Sequence, residues 1–369
     1  MSAATQPTTQ PTLNAERIHT LDLLRGLALL GMILVHFHSH STSPGGVEDL
    51  IRGAVWRLVE TKAHGTFALL FGAGFAIQLR RADARGAPFA LLYLRRLAVL
   101  ALFGFAAHAL FGFNVLIGYA LWGVPLLLIR RWSTCTLIVV AIFSAISLQL
   151  YTLLFKHYEV AVHGPDGAKA AIQVLRETAR NVNAAVHEAS TQPDYMPLLK
   201  ARLHHMAWFC SQPWFFLPCN TLALFIAGLL AVRHGIFEHP LAHKRTIVAM
   251  MVFGVVAWVV DNWIAGNGFP RAYALLGLFD DQWLAFTYVG ALLLLFARWP
   301  RSITLLRPVG QAGRMALTNY IMQIAVLDML FSGYGLHLPD IRPLLVPLAT
   351  ALLFGAEVVL SMAWLVSFR

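Results

Sequence analysis

A chain of 369 residues that is 58% hydrophobic and only 12% charged, with a mean hydropathy of +0.65, is not an ordinary soluble domain, in which about 25% of residues are charged. Its formal net charge of +10 comes without a basic patch interleaved with aromatics, which argues against nucleic acid as a partner; Lys and Arg gathering in cytoplasmic loops account for it. The composition therefore predicts an all-α, polytopic helix bundle embedded in a lipid bilayer. Cys135, Cys210 and Cys219 fall in apolar segments without metal-ligand spacing and read as small core residues.

Residues 1–16 are rich in Thr, Gln, Pro and Ala and read as a disordered tail. No basic start, short apolar core and small-residue cleavage site follow one another there, so no removable signal peptide is expected. The stretch 17–40 is long and apolar enough to cross a bilayer, which takes about 20 residues. It nevertheless carries Asp22 and Arg25 near its start and His36, His38 and His40 at its end. A charge at mid-membrane costs about 2.5–3.5 kcal/mol on insertion scales, so such groups are paired or face a cavity. Asp22 and Arg25 are three apart and can pair. At about 100° per residue, Arg25 and His36 share a face roughly 16 Å apart along the axis. His38 and His40 read as outer-surface residues; alternate positions diverge on a helix, so the three imidazoles do not gather a metal and none is expected.

A loop over 41–58, with a short amphipathic helix over Val47 to Leu58, leads to a second helix over 63–79. The basic connection after it holds Arg80, Arg81, Arg85, Arg95 and Arg96. Further membrane helices are predicted over 97–112, 114–130 and 134–155, then, beyond a polar segment, over 206–231, 246–265, 282–298, 312–332 and 343–366. That polar segment, 157–203, has mixed charge and a helical pattern from Ala168 to Ala189. The count is about ten spans. With the N-terminus inside, the arginine-rich turns near 80–96, 130–133, 232–245 and 298–310 all fall in the cytoplasm. The organisation is then a tail (1–16), N-terminal membrane helices (17–156), an extracytoplasmic helical insertion (157–203) and C-terminal membrane helices (204–369), with both termini inside.

Four stretches carry a resemblance: LDLLRGLALLG from Leu21, FALLFGAGFA from Phe67, LFIAGLLAVRHGIF from Leu224 and GQAGRMALTNYIMQ from Gly310. They resemble the YeiB-like bacterial membrane proteins (domain of unknown function 418), and through them the wider group of transmembrane acyltransferases. That group includes the heparan-type N-acetyltransferases and the O-acyltransferases of bacterial surface glycans. The resemblance implies a place in a bacterial cytoplasmic (inner) membrane and transfer of an acyl group from cytoplasmic acyl-CoA, acetyl-CoA being the first guess, to an acceptor across it. The acceptor would be an envelope glycan, a lipid-linked sugar or a small hydroxylated or amine metabolite. In the glycan enzymes an Arg on the first helix precedes a His taken as the catalytic base by eleven residues, and Arg25 and His36 match that spacing. The YeiB-like and heparan-type proteins more often carry Asn at the second position, and the Trp-Asn-Gly loop of the heparan type is missing here. At this position the chain therefore sides with the O-acyltransferases.

Acyl transfer from a thioester needs a base near neutral pKa, donors for the oxyanion and cations for the CoA phosphates. His36 is the candidate base, with Glu60 or Asp22 as orienting carboxylates. His64, at the outer start of the second helix, can face it. Arg25, Arg80, Arg81, Arg95 and Arg96 are candidate donor contacts. On the ninth helix Arg314, Asn319 and Gln323 form a polar series, the last two sharing a face; they either line the site or hydrogen-bond between helices. Gly72 and Gly74 read as points of close helix approach. Asn220, Asp261, Asp328 and Glu357 add further intramembrane polar groups. Such a chain would also serve a proton- or ion-coupled transporter, the alternative to the enzyme, although no inverted repeat is visible. A homo-oligomer is compatible with the sequence.

Overall fold

Long apolar runs closed by arginine-bearing turns can satisfy their backbone groups in lipid only as helices. The computed structural model, which describes residues 19–42, 45–112, 114–266 and 280–368, builds them so. Among these residues the chain is a helix bundle with no strand beyond an isolated bridge between Ser41 and Ile341. The expected tail 1–16 lies outside the described residues. The order is α1 (His19–Ser39), α2 (Val47–Val55), a π-helical turn (Trp56–Glu60), α3 (Thr61–Ala84), α4 (Phe89–Phe111), α5 (Leu116–Ile129) and α6 (Thr134–Ser190). Then come α7 (Tyr195–Ser211), α8 (Cys219–Arg233), α9 (Lys244–Gly266), α10 (Leu284–Arg298), α11 (Arg301–Leu305), α12 (Arg307–Arg314), α13 (Ala316–Phe331) and α14 (Val346–Ser367). Six helical stretches are long and apolar enough to cross a membrane, and α5 and α13 are shorter apolar helices. Leu102, Val139, Val252, Leu352 and Val359 stay exposed on the outside of the bundle. In water such a belt would aggregate; in a bilayer it is the face turned to lipid. The chain is a polytopic integral membrane protein.

Several boundaries differ from the sequence reading, each for a local reason. The predicted span 206–231 is two helices, α7 and α8, parted by a 3-10 turn (Pro213–Phe216). Pro213 and Pro218 bracket the break and supply no backbone N–H to carry the helix through. The predicted span 312–332 is also two, because the chain leaves helical geometry at Met315 between α12 and α13. The third predicted span begins at Phe89 rather than 97, directly after Pro88. Arg95 and Arg96 therefore stand on α4 and not in a loop, and Arg80 and Arg81 belong to the last turns of α3. Finally, α6 runs on past 155 to Gly164, whose positive φ of 68° breaks it, and a second arm fills 165–190.

At the centre, α3 and α8 cross at very short range. A Cβ on Gly72 would sit 1.9 Å from the Phe225 carbonyl oxygen, and one on Gly228 equally close to that of Leu69. Only glycine allows two helix backbones to meet so closely, and the gain is dispersion contact along both helices. Around this crossing Leu69, Ala73, Phe75, Leu224, Phe225 and Ile226 form the larger core. A second core, of Leu29, Met32, Ile33, Tyr320, Ile324 and Phe354, joins α1 to α13 and α14. The candidate site lies where these two cores meet.

Candidate active site

The π-helical turn Trp56–Glu60 feeds directly into α3. Such turns re-phase the side chains that follow and recur at functional sites. Four residues later, His64 Nδ1 lies 3.0 Å from the Glu60 backbone oxygen. A carbonyl only accepts, so Nδ1 carries the proton and Nε2 keeps the lone pair. On the other side of the ring's own backbone, the Tyr119 hydroxyl donates to the His64 carbonyl at 2.9 Å. Tyr119 stands on α5 and packs edge-on against Phe71 and Phe225, at centroid distances of 5.7 Å and 5.3 Å. That aromatic floor fixes the inner wall of the site.

His36 reaches the same place from α1. His64 and His40 are its electrostatic neighbours, and its ring lies 6.0 Å from that of Tyr320 on α13. The Tyr320 hydroxyl lies against the Val115 backbone at the start of α5. His36 Nδ1 is buried and has no hydrogen-bond partner among the described residues. An orphaned buried nitrogen costs about 1–3 kcal/mol and calls for an explanation, of which a ligand is one. Two imidazoles and two phenols, from α1, α3, α5 and α13, thus converge inside the bundle, towards the end where α1 finishes.

Among the described residues no carboxylate hydrogen-bonds to either imidazole, so neither Glu60 nor Asp22 stands in the orienting place expected of it. Glu60 meets His64 through its backbone oxygen. Asp22 is buried at the opposite end of α1 and accepts from Arg25 Nη1 at 3.2 Å, fourteen residues or about 21 Å from His36. The Asp22–Arg25 pair itself forms as its spacing suggested, with Gly74 leaving room for the guanidinium: a Cβ there would come within 3.1 Å of Nη2. His38, read as an outer-surface residue, is buried at 8% exposure. His40 stacks on Phe331 with ring centroids 4.2 Å apart.

The remaining candidates are distributed as follows. Arg80 pairs with Glu238 at 2.8 Å, Arg96 donates to Gln78, and Arg95 is exposed on α4. All lie at the far end of the bundle from His36. Asn319 is buried and donates at 3.0 Å both to the Ala312 carbonyl, across the break at Met315, and to Ser361 Oγ on α14. Gln323, fully buried, donates to Glu357 at 3.0 Å. Their donors are thus spent on holding α13 against α12 and α14. Arg314 donates to Gln311 at 2.9 Å and lines a groove at the Arg25 end. Tyr119 and Tyr320 were missed by sequence reasoning. Tyr320 lies in the stretch from Gly310 that carries the resemblance and was open to notice, whereas nothing local marks Tyr119.

At the same end of the bundle Lys62, two residues before His64, is 1% exposed and reaches Asp281 at 2.6 Å, while Thr61 donates to the same carboxylate. Arg202 forms a buried bidentate pair with Asp328, which Ser332 and Tyr334 also approach. Among the described residues no three His, Cys, Asp or Glu stand together as a metal would require.

Residues 17–200 match the family described as "Heparan-alpha-glucosaminide N-acetyltransferase, catalytic". Residues 231–369 match the family described as "Protein of unknown function (DUF418)". The uncharacterized protein YxaH of Bacillus subtilis (strain 168) is 27% identical, over 98% of this chain and 93% of its own. An uncharacterized 39.9 kDa protein of the amylase 3′ region of Bacillus acidopullulyticus is 28% identical, over 88% of this chain and 81% of its own. The uncharacterized protein YeiB of Escherichia coli (strain K12) is 24% identical, over 96% and 93%. No solved structure matches. The first family match suggests a membrane acyltransferase-like function, and it contains His36, His64 and Tyr119; Tyr320 falls in the second.

Proposed function

We propose that this chain, similar in its first half to a membrane N-acetyltransferase, transfers an acyl group from acyl-CoA to a hydroxyl or amine of an envelope glycan, lipid-linked sugar or small metabolite. The observation that carries the reading is the meeting of His36 and His64 at a buried junction where one imidazole nitrogen has no partner. The acceptor attacks the thioester carbonyl while an imidazole nitrogen takes its proton. The oxyanion collapses, the C–S bond breaks, and the CoA thiolate leaves and takes up a proton. His64 presents Nε2 as a free lone pair and so suits the base. His36 suits a hydrogen-bonding role towards the acceptor or an exchange of the base's role with His64. The acyl arm of a cytoplasmic donor has to travel from the Arg25 end to His36 between α1 and α13. Asp328, which a proton-coupled carrier would use, is held in a buried ion pair with Arg202, which supports the enzyme over the carrier.

The test is thiol release from acetyl-CoA and longer acyl-CoAs by the protein in nanodiscs, with candidate acceptors added. His36→Ala and His64→Ala should each lower turnover by about 10²- to 10⁴-fold while leaving donor binding intact. A folded parent that neither binds nor turns over any acyl-CoA overturns the reading and directs attention to proton-flux assays.

A further inference from the structure

At the Arg25 end of the bundle a groove of about 1130 Å³ opens between α11, α12 and the last turns of α14. That volume slightly exceeds the roughly 300–1,000 Å³ of small-molecule sites. One wall carries three cations, Arg301, Arg307 and Arg314, and no carboxylate is among the residues lining the groove. The opposite wall is apolar, with Met362 and Val366, and Trp299 stands at the rim with 64% of its surface exposed. Three guanidinium groups around one concavity focus a positive field into it, and each offers the planar fork that matches phosphate oxygens.

The position of the groove matters as much as its charge. Its inner wall, α12, lies directly on α1: a Cβ on Gly313 would sit 1.8 Å from the Asp22 carbonyl oxygen, and one on Gly26 would sit 2.2 Å from that of Val309. Only α12 therefore separates a ligand seated in the groove from the Asp22–Arg25 end of the stripe that leads to His36. Of the arginines singled out from the sequence, Arg314 lines this groove, whereas Arg80 is engaged with Glu238 and Arg96 with Gln78.

We infer that this groove binds a phosphate-bearing amphiphile, with Arg301, Arg307 and Arg314 holding the phosphates and the Met362–Val366 wall taking the apolar part. Two sources share that chemistry: the phosphates of an acyl-CoA donor, which rests on the acyltransferase reading, and the headgroup of an anionic phospholipid, which does not. Arg301 and Arg307 are exposed, so both can be changed without opening the core.

The experiment compares the parent, Arg301→Ala/Arg307→Ala and the charge-keeping Arg301→Lys/Arg307→Lys. CoA and 3′-dephospho-CoA are titrated into nanodiscs of zwitterionic lipid, and phosphatidylglycerol retained through purification is counted by native mass spectrometry. The alanine pair should weaken CoA binding, or phosphatidylglycerol retention, by at least about tenfold, with the lysine pair in between. A response to CoA that also depends on its 3′-phosphate identifies the donor; a response confined to phosphatidylglycerol identifies the lipid. An alanine pair that binds CoA and keeps phosphatidylglycerol as the parent does, with an unchanged melting temperature, overturns the proposal. Thiol release keeps the two readings apart. A turning-over parent with an indifferent groove sinks only the groove, and an inert parent whose lipid binding depends on the two arginines sinks only the acyltransferase.

Discussion

Lys62 is the residue whose place is hardest to explain without a partner. Its ammonium is 1% exposed, and the Asp281 carboxylate at 2.6 Å is what makes that burial tolerable. Breaking one side of such a pair strands a charge in a low dielectric, which costs more than the pair contributes. Asp281→Ala should therefore destabilise the protein by about 3–5 kcal/mol, read as a fall in melting temperature in detergent. Lys62→Met/Asp281→Leu should recover most of the loss, and an Asp281→Ala melting temperature equal to the parent's would dismiss the argument. At this scale the sequence was partly legible. The apposition of His64 and His36 follows from adjacent membrane helices carrying imidazoles near the same end. Tyr119 was not legible, because its place depends on which face α5 turns inward. Nor was the Lys62 pair, whose partner lies 219 positions away.

Helices rather than residues decide how close these groups come. The crossing of α3 and α8 leaves no room for a methyl group at Gly72, where a Cβ would meet the Phe225 carbonyl at 1.9 Å, and the clash is with backbone that cannot rotate away. Overpacking of this kind typically costs about 1–3 kcal/mol, more than the roughly 1 kcal/mol that alanine gains over glycine in a helix. Gly72→Ala should thus lower the melting temperature, and because α3 carries His64, it should lower thiol release as well. Gly118→Ala, with nothing within 4 Å of its Cβ, is the matched control and should be neutral or mildly stabilising. Equal behaviour of the two variants would mean that the helices part easily. Hydropathy located these helices well but not their interruptions. A window summed over twenty residues does not register a single non-helical position such as Met315, and it averages over Pro213 and Pro218. Gly164-Pro165 was a readable break, yet it sat in a polar segment where the apolar period gives no guide.

Across the whole molecule the basic turns gather at one end. Arg80 reaches Glu238, and Arg233 donates to the Arg130 and Trp132 carbonyls at 2.7 Å and 2.8 Å. These contacts tie the turns after α3, α5 and α8 into one surface. The opposite end is closed by pairs of mixed sign: Glu48 with Arg342, Arg202 with Asp328 and Lys62 with Asp281. A bilayer with an anionic cytoplasmic leaflet prefers the first end inside. The second arm of α6 and α7 would then stand outside, as the sequence expects of the 157–203 segment. Single cysteines in a background where Cys135, Cys210 and Cys219 are alanine test this. Val174→Cys, exposed on the α6 arm, should react with an impermeant maleimide on intact cells, and Leu241→Cys, exposed in the turn after α8, only once the membrane is opened. The reverse pattern would put the Arg301 groove outside, beyond reach of cytoplasmic acyl-CoA. The groove would then have to be a lipid site, and the imidazole pair would face the cytoplasm, where a donor could meet it without crossing the bundle.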